Sequence, residues 1–404
     1  MASTDYRLIK SADELRASCE ELARHAAVGF DCETTSLDPY NGRLRLVQLA
    51  SPEGVCVFDL FRLAPDGGAD KVEALGPLRR LLAATKPVKI AHNGKFDAKW
   101  VRHALGVELH GDFDSRAVTT AANGGEGGTV ERAGLFDTML ASQIISAGET
   151  EDRHGLAAVV ERYLGETVDK SQQVSNWGGE LSEAQLRYAA RDAAVMLPLR
   201  DKLIAQLRAN ALGRCAQLEF ECVVPVASME LAGVYLDAAR WREQLAVVER
   251  MRKSLSEELQ DMLAEESPQQ SFFGPTRVEL NLDSHVQLTK ALTRLGVPVP
   301  DSTRNWKLQP LANQYPAVRK LLEYRTVQKA LTSYGENILK EINPATGRIH
   351  ASFHQIGAPT GRFACTNPNV QQIPHATEYR RCVRAQGENR AIGPQSHHWE
   401  HLAE

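Results

Sequence analysis

The sequence predicts an α/β domain followed by a mostly helical region, and two observations support this. Between residues 27 and 105, runs rich in Val, Leu and Phe alternate with segments of helical periodicity, which is typical of a sheet covered by helices. From about residue 213 to 345, apolar residues recur at helical spacing. Because 404 residues exceed one ordinary core, we expect two or three domains.

The predicted first domain alternates strands with helices. The predicted strands are Ala27–Glu33, Leu44–Ala50, Val55–Leu60 and Val88–Ala91. The predicted helices are 72–84 and Phe96–Leu105. Residues 118–134 are rich in Gly and Thr and nearly lack large apolar side chains, which predicts an exposed loop insertion.

The remainder of the chain is predicted to be mainly helical. Ser182 and Gln185 match a capping box, so a helix is expected to begin near Glu183. Further helices are predicted at 214–232, 238–264, 284–295 and 316–342. A short β pair is predicted from Arg348–Ile356 and Gly361–Ala364, and residues 386–404 have the composition of a disordered tail.

The composition favours a soluble cytoplasmic protein. The chain is 43% hydrophobic and 24% charged, and we expect no membrane partner because no apolar run is long enough to cross a bilayer. Seven cysteines without a CxxC pair favour a reducing compartment. Residues 301–404 carry 13 Lys and Arg against 8 Asp and Glu, whereas the first 300 carry 34 against 43. An acidic front and a basic back fit a metal site followed by a polyanion-binding surface, but ordinary surface variation explains them equally well.

Two carboxylates close the first predicted strand. Asp31 and Glu33 are two residues apart, so they share one face of a regular strand. Strand ends are common sites in α/β folds, and adjacent carboxylates supply the oxygen ligands that Mg²⁺ prefers. An isolated Asp-x-Glu pair is more often a solvated turn, so this motif needs support from others.

Two further motifs carry acids in comparable places. Asn93 and Asp97 straddle a predicted strand-to-helix transition, where a turn residue followed by a first-turn acid is the simpler explanation. Tyr188 and Asp192 share one face of a predicted helix, which is otherwise apolar. Burying an unpaired charge is costly, so an acid in such a stripe needs a partner, and a metal ion would be one.

In chain order these motifs read Asp-x-Glu, Asn-x-x-Phe-Asp and Tyr-x-x-x-Asp. The series resembles the DEDD 3′–5′ exonucleases, in the subfamily with tyrosine in the third motif. The flanking segments FDTMLASQII (136–145), DKSQQVSNWG (169–178) and LSEAQLRYAARDA (181–193) also resemble that family. The resemblance covers roughly residues 25–205. It implies a ribonuclease H-like mixed sheet in an exonuclease domain at residues 1–210.

This resemblance implies a site with two divalent cations, Mg²⁺ or Mn²⁺. It implies that Asp31, Glu33 and Asp192 hold one ion. Asp31 also contacts the second ion, which Asp97 supports through water. Tyr188 and Glu33 are implied to orient the attacking water. The reaction implied is release of 5′-mononucleotides from a 3′ end.

The second half resembles bacterial DNA polymerase I. Segments VVPVASMELAGVYLD (223–237) and LNLDSHVQLTKALTRLGVP (280–298) resemble its helical thumb, and APTGRFACTNPNVQQIP (358–374) resembles the segment that lies against primer–template DNA. The resemblance implies a thumb at 211–345, a truncated α+β palm fragment at 346–385 and a non-matching tail at 386–404.

The two resemblances also imply DNA as the partner, as single-stranded 3′ ends and as primer–template duplex. Positions matched to contacts with the terminal nucleotide are Thr34, Leu37, Asn93 and Phe96, the last replacing a commoner tyrosine. Positions matched to contacts with duplex DNA are Arg362, Asn369 and Gln371.

The expected function is a metal-dependent 3′–5′ exonuclease of a DNA polymerase I-type protein, with a proofreading role in replication and repair. The polymerase metal-binding aspartates are missing after EYRRCVRA (378–385), so no DNA synthesis is expected from this chain alone, and a complementing polymerase chain stays an open question. Two alternatives remain. One is an RNA-trimming exonuclease like ribonuclease D, and the other is an inactive DNA-binding remnant.

Overall fold

The structure is a computed structural model of the chain. It describes residues 5–65, 73–109, 135–146, 153–167, 172, 175–263, 270–271, 274–275, 279–374 and 376–384. The predicted loop insertion at 118–134 and the predicted tail at 386–404 lie outside these residues. The chain forms two compact units. Among the described residues, the first unit comprises those up to Gly233 together with His350–Asn369, and the second comprises those of Val234–Ile349 and those from Val370 onward.

Most strands of the described residues are short. The strands longer than three residues all belong to one six-stranded sheet. In chain order the strands are β1 (Tyr6–Ile9), β2 (Ala27–Thr34), β3 (Leu44–Ser51), β4 (Gly54–Asp59), β5 (Val88–Ala91), β6 (Phe136–Asp137), β7 (Tyr235–Leu236), β8 (Gln270–Ser271), β9 (Gly274–Pro275), β10 (Ile342–Asn343), β11 (Arg348–Ile349), β12 (Ser352–His354), β13 (Ala364–Thr366) and β14 (Val383–Arg384).

Helices make up much of both units. In chain order they are α1 (Ala12–Leu22), α2 (Leu60–Leu63), α3 (Gly76–Ala83), α4 (Gly94–Leu105), α5 (Thr138–Ile145), α6 (Leu156–Leu164), α7 (Glu183–Ala194), α8 (Met196–Ala209), α9 (Gly213–Ala232), α10 (Ala238–Leu263), α11 (His285–Arg294), α12 (Asn305–Leu308), α13 (Pro316–Tyr334), α14 (Asn337–Lys340) and α15 (Thr377–Arg380). Among the described residues, none of these helices is both long and apolar enough to cross a bilayer.

The first unit is built on one six-stranded mixed sheet, which confirms the predicted α/β class. Its strand order is β1-β4-β3-β2-β5-β6. Strand β3 runs antiparallel to both β2 and β4, whereas β5 runs parallel to β2 and β6. Every residue of β3 is buried, because neighbouring strands flank it and helices cover the sheet. Strand β2, which carries the first two acids, therefore lies inside the sheet.

Alternation along β2 sends its side chains to two different cores. Phe30 and Cys32 join the large core on one face. The opposite face is covered by α7, whose Ala189, Ala190 and Ala193 pack on apolar residues of β3 and β4. Small alanines let the helix backbone approach the sheet closely. Asp31 and Glu33 point to this α7 face because they alternate with Phe30 and Cys32.

The first unit extends past the predicted domain end at residue 210. Helix α9 belongs to it, and the ring of Phe220 lies 4.8 Å from that of Phe136 on β6. The β12–β13 hairpin, predicted as part of the palm fragment, belongs to this unit as well. The packing of α9 onto the sheet domain explains why the division falls between residues 233 and 234.

The second unit has two apolar clusters of its own. One gathers the distal part of α10 with α11 and the start of α13 around Leu292 and Leu321. The other surrounds Trp241, whose indole N–H donates to the carbonyl of Tyr334 at 3.1 Å. That bond satisfies a carbonyl at the end of α13. The predicted helix over 316–342 is wrong in length, because α13 ends at Tyr334 where Gly335 adopts an extended conformation.

Candidate active site

Helix α7 packs closely against β2 at Gly29. A β-carbon built on Gly29 would lie 2.1 Å from the carbonyl oxygen of Ala193, a distance that no other residue type could accept. Gly29 shares the α7 face with Asp31 and Glu33, since all three are separated by two residues. The close approach therefore brings the end of α7, and Asp192 on it, against the part of β2 that carries both acids.

Tyr188 and Asp192 lie one turn apart on α7 and hydrogen-bond through their side chains. The predicted capping box begins the helix, with Ser182 and Gln185 each bonded to the other's backbone. Tyr188 packs in the α7 core and its ring centroid lies 6.4 Å from that of Trp177. The phenol is thereby fixed beside the carboxylate of Asp192.

Asp97 reaches the site from α4, and Asp137 builds the turn that precedes that helix. The buried carboxylate of Asp137 accepts the backbone N–H of Gly94 at 2.7 Å and that of Asn93 at 3.3 Å. Asn93 adopts the left-handed conformation (φ 59°), which asparagine tolerates better than most residues. A β-carbon on Gly94 would lie 2.5 Å from Cδ1 of Leu135, so a larger residue there would have to displace that side chain. This turn sets the direction of α4.

Burial raises the pKa of all four acids, and repulsion from the other acids raises it further for Asp31 and Glu33. The pKa of Glu33 rises to about 9, because burial and then Asp192 and Asp97 disfavour its charge. Burial raises the pKa of Asp192 to about 7, although Tyr188 and Arg191 oppose the change. Burial and then the other three acids raise the pKa of Asp31 well above its ordinary range. These acids, Asp31, Glu33, Asp97 and Asp192, are named the carboxylate cluster.

The pKa of Asp97 is likewise raised well above its ordinary range by burial, against an opposing hydrogen bond from Cys32. Tyr188 also holds its proton more tightly, since burial and the charge of Asp192 raise its pKa. Four acids from β2, α4 and α7 thus influence one another electrostatically at one place. A cluster of like charges that is largely removed from water is stabilised when its acids are protonated or when a cation neutralises them.

The chemistry of the cluster suits a divalent cation. Carboxylate oxygens are the ligands that Mg²⁺ and Mn²⁺ prefer. Oδ1 of Asp97 and Oδ1 of Asp192 are buried without a hydrogen-bond partner among the described residues. In the same residues, no three His, Cys, Asp or Glu side chains are already arranged to hold a metal ion. Binding of a cation would therefore have to draw the oxygens together.

The four positions matched to the terminal nucleotide lie at the end of β2, on the loop that follows it and at the start of α4. Leu37 follows β2 and is 84% exposed, which is unusual for a large apolar side chain. The hydroxyl of Thr34 donates to the carbonyl of Ser36 at 2.7 Å and shapes the same loop. Asn93 and Phe96 lie on the turn that begins α4, and both are half-buried.

The three positions matched to duplex DNA lie in later segments of the chain. Arg362 is exposed in the turn between β12 and β13, next to Gly361 with φ +74°. Asn369 ends the segment that belongs to the first unit. Gln371 lies in a 3₁₀ turn at Val370–Gln372 and belongs to the second unit.

Sequence reasoning missed the hydrogen bond between Cys32 and Asp97, and it gave no place to Gln48. A cysteine within a strand carries no signal that distinguishes it from an ordinary core residue. The alternation of β3 does place Gln48 on the same face as Leu46 and Ala50, so its polar side chain in a buried strand was a readable anomaly.

Family models match both parts of the chain. Residues 6–208 match a family described as 3′-5′ exonuclease, and residues 247–400 match DNA polymerase family A. The second match runs past residue 385, where the resemblance read from the sequence ends. The first match covers half of the chain and includes every member of the carboxylate cluster.

Individual relatives agree with the family models. The chain is 27% identical to DNA polymerase I of Pseudomonas aeruginosa, over 95% of the chain and 40% of the relative. It is 29% identical to DNA polymerase I of Aquifex aeolicus, over 91% of the chain and 58% of the relative. The chain thus spans less than two thirds of the length of these relatives. The fold is similar to the POL domain of Pol1 from M. smegmatis, with a TM-score of 0.66 and 22% identity over 94% of the chain and 57% of that structure.

Proposed function

The chain belongs to the DNA polymerase I family (family A), and from that premise we propose that it acts as a metal-dependent 3′–5′ exonuclease on DNA. It carries the 3′–5′ exonuclease domain of this family together with part of the polymerase domain. The observation that carries the proposal is the carboxylate cluster, in which β2, α4 and α7 bring together the half-buried Asp31 and Glu33 and the buried Asp97 and Asp192. The reaction is hydrolysis of the last phosphodiester of a 3′ end, with release of a 5′-mononucleotide.

Asp31, Glu33 and Asp192 would hold one divalent cation, and Asp31 with Asp97 would hold a second. Two bound cations supply acidification of the attacking water and neutralisation of charge at the scissile phosphate. The raised pKa values of the cluster support this assignment, since they express a need for positive charge. Metal binding would therefore release protons from the cluster.

Glu33 and Tyr188 would orient the attacking water. Once ionised, the carboxylate of Glu33 can accept a proton of that water in a hydrogen bond. The hydroxyl of Tyr188 keeps its proton, because burial raises its pKa, and its bond to Asp192 fixes its direction. The water oxygen bonds to phosphorus and gives up a proton, the bond from phosphorus to the 3′ oxygen breaks, and the 3′ oxygen takes up a proton, so one water is consumed for each nucleotide released.

The loops beside the cluster would receive the terminal nucleotide. Leu37 is exposed on the loop after β2, where its apolar side chain is free to pack against a base. Thr34 would contact the sugar and the base from the end of β2, and Asn93 and Phe96 would do so from the start of α4. This arrangement favours a single-stranded or frayed 3′ end, because the end must enter alone.

Arg362, Asn369 and Gln371 would contact the adjacent duplex. Such contacts neutralise phosphates or read groove shape rather than sequence. Arg362 is the charged member of the three, so its contact should make binding of duplex weaken as salt rises. A charge-neutral variant of Arg362, Arg362→Gln, should bind duplex less tightly with a smaller salt dependence.

The test is incubation of the protein with a 3′-overhang primer–template, Mg²⁺ and all four deoxynucleotides. We expect shortening of the primer by single nucleotides in the wild type and none in Asp31→Asn. Asp13→Asn is the matched control, since Asp13 is exposed on α1. Extension of the primer, or no reaction by the wild type, would contradict the proposal.

A parallel reaction with an RNA of the same sequence tests the ribonuclease D-like alternative. We expect the DNA 3′ end to be cleaved faster. Faster cleavage of RNA would replace the proposed substrate while leaving the role of the carboxylate cluster intact.

A further inference from the structure

Gln48 lies directly opposite the first acid of the cluster. In the antiparallel β2–β3 pair, Asp31 and Gln48 are cross-strand partners. Directly opposed residues of such a pair have side chains on the same face, with their β-carbons about 4.5–5.5 Å apart. The cores agree with this, since Leu46 and Ala50 on either side of Gln48 both pack against α7. Gln48 is therefore on the face where the cluster forms.

The side chain of Gln48 is sealed from solvent and has no hydrogen bond. Its residue exposure is 0%, and neither Nε2 nor Oε1 finds a hydrogen-bond partner among the described residues. Its other cross-strand neighbour, Val57 on β4, offers only an apolar side chain. Burying an amide without partners costs free energy, and a leucine of similar size would avoid that cost. Core stability alone therefore gives no reason for a glutamine here.

A carboxylate oxygen on the helix that covers Gln48 also lacks a hydrogen-bond partner among the described residues. Oδ1 of Asp192, on the helix that covers this face, is also buried without a partner. Nε2 of Gln48 is a donor without a partner, and Oδ1 of Asp192 is an acceptor without one. Binding of a cation to the carboxylate cluster would allow such groups to be paired. When a cation draws the carboxylates together and ionises them, their oxygens become strong acceptors for the Nε2 protons of Gln48.

Resting on the exonuclease function proposed above, we propose that Gln48 is a positioning residue for the metal site. Its amide nitrogen donates to the ionised carboxylate of Asp31 and fixes the orientation in which that carboxylate binds the cation. Groups that orient metal ligands in this way typically change metal affinity about 10–100-fold when removed. Gln48 does not touch the reacting atoms in this role.

The test measures Mn²⁺ affinity by calorimetric titration of the full chain, beside thermal unfolding in EDTA. The variants are Gln48→Leu and Gln48→Met, which keep the volume and remove the amide. The matched control is Leu49→Met, on the same strand and the opposite face. We expect both Gln48 variants to bind Mn²⁺ about 10–100-fold more weakly. Their metal-free unfolding temperatures should equal or exceed that of the wild type, because an unpaired polar group is removed.

Three outcomes would overturn the proposal in different ways. Wild-type affinity in both Gln48 variants would remove the role of Gln48 and leave the exonuclease proposal standing. A large loss of metal-free stability in both variants would show that the amide is a satisfied part of the core. Absence of Mn²⁺ binding by the wild type would remove the exonuclease proposal and this inference with it.

Discussion

Lys95 and Glu230 form a buried ion pair in which Nζ lies 2.7 Å from Oε1. Lys99 binds the other oxygen of the same carboxylate at 2.7 Å, and the backbone N–H of Phe353 donates to Oε1 at 2.7 Å. The side chain of Glu230 is only 2% exposed. Because Asp97 lies on α4 between the two lysines, this network links the helix of the active site to α9 and to the β12–β13 hairpin within the first unit.

Replacing Glu230 by alanine should destabilise the first unit by about 3–5 kcal/mol, since two partly buried lysines would lose their counter-charge. Amide hydrogen exchange of α4 and α9, followed by mass spectrometry, measures the change locally. The matched control is Glu257→Ala in the second unit, whose partner Lys253 lies 4.0 Å away on the surface. We expect no detectable change in the control. Wild-type protection of α4 in Glu230→Ala would show that the network does not hold the helix.

Neutralising one member of the carboxylate cluster should have opposite effects on stability and activity. Asp192→Asn removes a charge that burial disfavours, so the metal-free protein at pH 8 should gain on the order of 2 kcal/mol. The same change removes a proposed metal ligand, so cleavage of the DNA 3′ end should fall below detection. Urea unfolding in EDTA and the primer assay measure the two effects. A loss of stability together with activity would identify Asp192 as a structural residue.

Much of the fold could be read from the sequence where local signals agree. Strands β2 to β5 and helix α7 carry strong apolar patterns, and the capping box at Ser182 is present as predicted. Strand β6 was missed because two residues, Phe136 and Asp137, are too few to show a period. Helix α1 has its own capping box at Ser11 and Glu14, a signal that the sequence does contain. Pairings between distant strands, such as β1 with β4, have no local signal.

The candidate site could be assembled only partly in the same way. The motif order and the family resemblance identify the five residues expected at the centre, and the structure brings these residues together. What the sequence does not show is how deeply the acids are buried. The burial that raises the pKa of Glu33 to about 9 depends on how closely α7 approaches β2. The partnership of Asp31 and Gln48 depends on the register between two strands, which becomes readable only when both strands are placed.

The metal-free protein should lose stability as the pH rises from about 4 to 9. Glu33 has a folded pKa of about 9 against an ordinary 4.5, and Asp192 has about 7 against 3.8. A raised folded pKa means that the native state holds the proton more tightly. The stabilisation is therefore complete below the ordinary value and is lost through the folded value. Each proton involved contributes a slope of about 1.4 kcal/mol per pH unit.

Thermal unfolding in EDTA between pH 5 and 9 measures this dependence, and the same series with Mn²⁺ is its control. A bound cation takes over the neutralisation of the cluster, so the pH dependence should flatten when Mn²⁺ is present. Asp192→Asn should flatten the curve near pH 7 without metal. A metal-free curve as flat as that with Mn²⁺ would show that the cluster is not as buried as the structure has it.

Replacing Gly29 by alanine should move the site residues on α7 away from those on β2. The new β-carbon of Gly29→Ala would lie 2.1 Å from the carbonyl oxygen of Ala193, which belongs to the backbone of α7 and cannot rotate away. Helix α7 must then move outward and carry Asp192 and Tyr188 with it. Overpacking of this kind costs typically about 1–3 kcal/mol. We expect that cost in urea unfolding, together with a weaker Mn²⁺ affinity.

The matched control for that variant is Gly155→Ala, because a β-carbon on Gly155 meets no atom within 4 Å. It should leave Mn²⁺ affinity unchanged. The two readouts separate displacement of the helix from general loosening of the fold. If Gly29→Ala lost stability but bound Mn²⁺ like the wild type, the position of α7 would not determine the geometry of the metal site. If affinity fell with the stability cost, the close contact between Gly29 and Ala193 would be part of what assembles the carboxylate cluster.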